Sequence, residues 1–230
     1  MRLRSLILSA AVAVPLVSAQ SVDELKEKNL LREVDLVVKT AGAHAMGEKD
    51  AKVTIVEFFD YQCPYCGVFA DQALAKLLVE YVKTGKVRYI VRNFPQEKIH
   101  PFAPKAAEMG ECAGEQGKYW EAHLRLLKDQ QTLETASMGL DQSKFQECLD
   151  SGRAAAKVKS DLEEGRELKV PGTPSFYFGY SDPADPLQVR AVKLLVGSHT
   201  FKVFEDVIGS LLNPPPGKGE THRAEAVQRR

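Results

Sequence analysis

"VTIVEFFDYQCPYCGVFA", residues Val53–Ala70, decides how the rest of the chain is read. It opens on a nearly continuous apolar, β-branched and aromatic run, the composition of a strand buried on both faces. A polar corner leads to Cys63-Pro64-Tyr65-Cys66, after which Cys66, Ala70, Ala73, Leu74, Leu77 and Tyr81 recur at helical spacing. The helix is expected to end near Lys83-Thr84-Gly85-Lys86, before a second strand, "KVRYIVRNF". Strand, helix and strand in so short a span make a βαβ unit with parallel strands. The two cysteines at its first corner are a staple, half of a metal site, or a redox pair.

The compartment bears on all three. "MRLRSLILSAAVAVPLVSAQ" has a basic start (Arg2, Arg4), an apolar stretch from Leu6 to Val17 and small residues before Gln20. This is the layout of a secretory signal, expected to be cleaved after Ala19. The apolar stretch is shorter than the roughly 20 residues that span a bilayer. A periplasmic or otherwise exported protein is expected. Losing Arg2 and Arg4 leaves 29 basic residues against 31 acidic ones. That balance gives no electrostatic reason to expect nucleic acid or anionic lipid. The remaining chain is long enough to bury a core without disulfides, so its four cysteines are not a framework compensating for a missing one.

Residues 20–44 read as a charged N-terminal arm, in which 21–38 are a charged helix or arm leading into an extended piece, and 45–99 as the first part of an α/β domain. Residues 100–169 carry no strand signal. Trp120, Leu124 and Leu127 repeat at helical spacing, as do Phe145, Cys148 and Leu149, and then Val158, Leu162 and Gly165. Residues 170–212 return to strand: "VPGTPSFYFGY" is a turn and an aromatic strand, "VRAVKLLVG" its partner, and "FKVFEDVIGSLL" a closing amphipathic helix. Residues 213–230 have almost no apolar content and are expected to be disordered.

The order is βαβ, a helical block, then ββα. It resembles the DsbA-like thiol–disulfide oxidoreductases, whose thioredoxin fold carries an inserted α-helical domain. The resemblance covers roughly residues 45–212 and rests on Cys-Pro-Tyr-Cys at a strand-to-helix corner, on Thr173-Pro174 before the third strand, and on "AAEMGECAGEQGKYWEAH" in the helical block.

A redox cysteine reacts as thiolate and needs surroundings that lower its pKa. Cys63 falls at the helix N-terminus, where unpaired N–H groups and the macrodipole favour negative charge. Cys66 lies one turn in and more shielded. Hence Cys63 exchanges with substrate and Cys66 resolves the mixed disulfide. Pro64 suits the first helical turn, which has no use for an N–H. A zinc site would need a second ligand pair at suitable spacing, and neither Cys112 with Cys148 nor any histidine pair supplies one. No metal and no cofactor beyond the Cys63–Cys66 disulfide is expected.

The resemblance implies a cis Thr173-Pro174 bond facing the cysteines, with Thr173 bordering a peptide groove that Tyr65 joins; an ordinary trans proline is the plain alternative. It also implies that Glu57 is the buried acid that handles the proton of Cys66, with Arg88 or Arg92 as its partner; an exposed strand-end glutamate is the alternative. Cys112 and Cys148 fall on different expected helices of an exported chain, so a structural disulfide joins them unless both are buried free thiols. His123 reads as helix packing rather than catalysis.

Three functions compete. An oxidase would donate its disulfide to unfolded or newly exported cysteine-containing proteins and be renewed by a membrane redox partner. A reductase or isomerase would run the other way. A peptide-binding chaperone with incidental cysteines is opposed by the intact pair and by Thr173-Pro174. Tyr65 offers a hydroxyl but no charge between the cysteines and does not decide the direction. Isomerase relatives carry a separate dimerisation domain, for which residues 20–45 are too few. A monomeric oxidase is the expectation.

Overall fold

A computed structural model of the chain describes residues 20–130, 139–182, 185 and 187–214. The expected leader (1–19) and most of the expected tail (213–230) lie outside them. Strands β1 (Leu31–Lys39), β2 (His44–Met46), β3 (Val53–Phe59), β4 (Val87–Asn93), β5 (Ser175–Ser181) and β6 (Gln188–Val196) form one sheet in the order β1-β6-β5-β3-β4-β2. β3 and β4 run parallel, as a βαβ unit demands, and the other neighbours run antiparallel.

All seven residues of β3 are buried, because the strand is central and covered on both faces. Ile55, Phe59, Tyr89, Phe176 and Phe178 point into the larger core, which the helices over 64–82 and 201–212 close. Val56, Phe58, Ile90 and Tyr177 alternate onto the other face and form a smaller core with Val38 and Val189. A fully buried side chain of this size contributes roughly 1.5–3 kcal/mol.

Helix α1 is Val22–Glu27, opened by a capping box between Ser21 and Glu24. Helix α2 spans 64–82 as one rod, Pro64–Phe69 and Ala75–Leu77 alternating with the wider-wound stretches Ala70–Leu74 and Leu78–Val82. The helical block holds α3 (Ala103–Gly114), α4 (Tyr119–Lys128), α5 (Gln142–Asp150) and α6 (Arg153–Glu167); α7 (Phe201–Leu212) closes the fold. Where α6 crosses the sheet edge, Gly165 sits against Phe94 so closely that a Cβ would lie 2.5 Å from its ring. Cys112 of α3 and Cys148 of α5 are joined by a disulfide, both sulfurs buried. No described helix is long and apolar enough to cross a membrane.

Residues 20–44, which read from sequence as a charged helix or arm leading into an extended piece, are built into the fold. They supply α1 and the edge strand β1, which pairs with β6 along most of its length. Arg32, Glu33 and Asp35 give this strand its charged reading, and charge along an outer strand is how sheets protect an edge.

Candidate active site

Cys63 is the N-cap of α2, with extended backbone angles and Pro64 at the first helical position. Its carbonyl accepts from the N–H groups of Cys66 at 3.0 Å and Gly67 at 3.2 Å, which start the helix. The Gln130 side-chain amide donates to the same carbonyl at 2.8 Å, so the end of α4 holds the corner from outside. Gly67 lets that approach happen: a Cβ there would be 3.2 Å from both Gln130 Nε2 and the Leu127 carbonyl.

The Thr173-Pro174 bond is cis. It brings the Thr173 carbonyl to 3.1 Å from Cys63 Sγ, which donates to it. Tyr65 stands exposed in the first turn of α2, between the two cysteines in the chain. Cys66 is fully buried, and its sulfur accepts the Asp60 N–H at 3.5 Å.

The two thiols, both reduced, have opposite electrostatics. Cys63 is pulled from 9.0 down to about 6, chiefly by the hydrogen bond from the Cys66 thiol; burial works against this, and the Thr173 side chain and the N–H groups of Cys66 and Tyr65 add to it. A thiol donating to a carbonyl is better off protonated, so the Thr173 carbonyl contact favours the thiol form; the donors that favour thiolate outweigh it. Cys66 is pushed well above 9.0, first by burial and then by its bond to Cys63 and the charge of Glu57. The two sulfurs are thus set apart by environment rather than by residue type.

Glu57 is fully buried on the face of β3 that looks toward α2. Burial lifts its carboxyl from 4.5 to about 8, against the lowering effect of a hydrogen bond from Tyr89 and with a smaller upward push from Cys63. The partner is therefore Tyr89, and neither arginine takes that place. Arg92 forms ion pairs with Asp161 at 3.1 Å and with Glu164, both on α6. Arg88, alternating with Tyr89 along β4, points to the opposite face.

Sequence reading missed Asp60, Gln130 and Tyr89. Asp60 is buried, and its carboxylate accepts from Gln62 N at 2.7 Å, Gln96 N at 2.8 Å and His100 Nδ1 at 2.8 Å. It ties the corner before Cys63 to the loop after β4. Its place three residues before Cys63 was a faint signal; Gln130 and Tyr89 had none. His123 is buried among Phe59, Tyr61, Tyr119 and Trp120, its Nδ1 3.2 Å from the Tyr61 hydroxyl, and burial lowers it to about 3. It stays neutral and packs the helical block onto the sheet. Among the described residues no group of three His, Cys, Asp or Glu side chains could hold a metal ion.

Comparison with known proteins matches this geometry. Residues 39–196 fit the family model described as Thioredoxin. A Bacillus anthracis protein named "Probable disulfide bond formation protein D" is 31% identical over 153 residues, covering 58% of this chain and 68% of that protein. "Na(+)/H(+) antiporter NhaA 3" of Salinispora tropica is 35% identical over 190 residues, 80% of this chain but 28% of the antiporter. The chain spans less than a third of the antiporters it matches. Among solved structures, oxidised BdbD of Bacillus subtilis superposes with a TM-score of 0.64 at 22% identity, covering 78% of this chain and 98% of that one. The α-DsbA1 of Wolbachia pipientis gives 0.61 at 21%, covering 74% and 90%. The chain belongs to the thioredoxin family, among its DsbA-like thiol–disulfide oxidoreductases.

Proposed function

We propose that this protein is an exported, monomeric oxidase that passes the Cys63–Cys66 disulfide to newly exported proteins. The observation that carries the direction is the opposed environment of the two sulfurs. Cys63 is lowered to about 6 while Cys66 is raised, so the reduced pair rests as a Cys63 thiolate beside a Cys66 thiol. A stabilised reduced form makes its disulfide a good oxidant.

In the exchange, a substrate thiolate attacks Cys63 Sγ of the oxidised pair. The S–S bond breaks, and Cys66 leaves with the electron pair and takes a proton from Glu57. A second substrate thiolate then attacks the substrate sulfur of the mixed disulfide, and Cys63 leaves as its stabilised thiolate. Two electrons move from substrate to protein, and a membrane redox partner takes them on. Thr173 borders the groove where the extended substrate lies, with Tyr65 across from it. Residues 1–19 act as the export signal. Cys112–Cys148 is structural: it sits away from the redox pair and fastens α3 to α5.

The test is the redox state of the pair in intact cells, with Cys66→Ser as a trap. An oxidase keeps Cys63–Cys66 oxidised, and Cys66→Ser accumulates client adducts that Cys63→Ser lacks. A pair found reduced at steady state would make the protein a reductase or isomerase. Equal adducts from both variants would overturn the assignment of roles.

A further inference from the structure

Glu57 is buried in a place where a lone carboxylate is costly, yet its hydrogen-bond donor is a neutral phenol. Tyr89 is fully buried too, on the parallel neighbour β4, in register with Ile55 and so one pleat from Glu57 on the same face. Its hydroxyl donates to Glu57 Oε2. Oε1 is buried with no hydrogen-bond partner among the described residues.

The groups facing this pair can be named element by element. Cys63 and Cys66 face it from α2 and Tyr61 from the corner after β3. Behind Tyr61 stand Tyr119 of α4 and Glu111 of α3. The Trp120 ring lies tilted 6.1 Å from the Tyr89 ring, with His123 beside it. The neighbouring strand β5 supplies Phe176 and Phe178, which carry no charge.

We propose that Tyr89 is a positioning residue for thiol–disulfide exchange: its hydroxyl orients Glu57 and eases its ionisation, leaving the unbonded oxygen to take the proton of Cys66. The proposal rests on the reading of Glu57 as the acid that handles that proton. A hydrogen bond to a carboxylate is stronger than one to a neutral acid, so the phenol favours the charged form. A lysine or arginine in its place would hold the carboxylate so firmly that it made a weak base. A phenylalanine would leave burial unopposed and keep the acid protonated. The phenol lies between these limits.

The step balances without a further reactant. During reoxidation, Cys66–SH and Glu57 carboxylate become Cys66 thiolate and Glu57 acid. The thiolate then attacks Cys63 of a mixed disulfide, forms the Cys63–Cys66 bond and expels the partner thiolate, to which the proton passes. Donation to substrate runs the same proton backwards.

The test isolates this step. Reduced protein is loaded at Cys63 with a chromogenic aromatic thiol as a mixed disulfide, and release of that thiol by Cys66 is followed against pH. Wild type should show an acid limb, slow where Glu57 is protonated and fast where it is ionised. Tyr89→Phe should move the limb to higher pH with the same plateau, slowing release about tenfold below the limb for each unit of displacement. A fluorinated tyrosine at position 89, a more acidic donor of nearly the same shape, should move it to lower pH. It also keeps the test decisive should Tyr89→Phe fold poorly. A limb unmoved by either change overturns the proposal. Glu57→Gln separates the two readings: it should abolish the limb. If it leaves the limb in place, Glu57 is not the acid, and the role of Tyr89 falls with it. If the limb goes with Glu57→Gln but ignores position 89, only the positioning role is lost.

Discussion

Two buried groups six residues apart in the chain pull the stability of the reduced protein in opposite directions with pH. Glu57 is raised from 4.5 to about 8, so the stability of its neutral form is full below 4.5 and is lost as pH rises through about 8. Cys63 is lowered from 9.0 to about 6, so its contribution is present above 9.0 and lost as pH falls through about 6. Between about 6 and 8 the two slopes oppose each other. Urea midpoints of reduced protein across this range should be nearly level in wild type. Cys63→Ser should lose stability with rising pH, and Glu57→Gln should gain it relative to wild type, each by at most about 1.4 kcal/mol per pH unit. Reading slopes avoids the constant cost of burying an amide in Glu57→Gln. Thiolate absorbance should show the Cys63 transition near pH 6, absent from Cys63→Ser. Parallel slopes in all three proteins would contradict this account of both groups.

At the scale of elements, the helical block is fastened to the sheet by charge as well as by apolar packing. Arg92 of β4 meets Asp161 and Glu164 of α6, while Asn93 donates to Asp161 at 2.9 Å and to Glu111 of α3 at 2.7 Å. Glu164 also accepts the Lys39 N–H from β1 at 2.6 Å. Arg92→Met would leave Glu164 without its ion pair and Asp161 with Lys157 alone as cation, and should cost about 3 kcal/mol, with faster amide exchange in α6 than in β3. A loss within about 0.5 kcal/mol would show the network to be dispensable. The elements that sequence disclosed and those it hid differ for a physical reason. β3, α2 and β4 were legible because a buried strand and an amphipathic helix write their periods into the chain. The three residues of β2 are too few to show a period, and β1 was legible only as an extended piece because its outer face is charged. The site was legible in the same uneven way. Cys63, Cys66 and Thr173-Pro174 announce themselves by spacing, whereas Tyr89 looks like any aromatic core residue of a strand, and its role depends on which side chain stands one pleat away.

For the whole molecule, the proposed reading makes the Cys112–Cys148 bridge an insurance on the helical block rather than a second reactive pair. Both sulfurs are buried, and the bridge spans a sequence separation of 36. Replacing both cysteines by alanine should cost roughly 3–4 kcal/mol in the chain-entropy account while sparing the Cys63 titration. Mass spectrometry after graded reduction should find Cys63 and Cys66 alkylated before either of the buried pair. The reverse order would refute a structural bridge. A different consequence follows from α1 and α7, which pack together; Val22 and Asp23 share one groove with Asp206, Val207 and Ser210. The first and last described helices are thus neighbours, and the path of the polypeptide can be rewired. A short loop from the end of α7 to the start of α1 would close the chain into a ring. New ends could be opened at the exposed Gly117 turn, where an added Cβ would meet nothing within 4 Å. Such a circular permutant should unfold in one transition and keep its Cys63 titration, because no strand pairing or catalytic contact depends on the order in which the chain is strung.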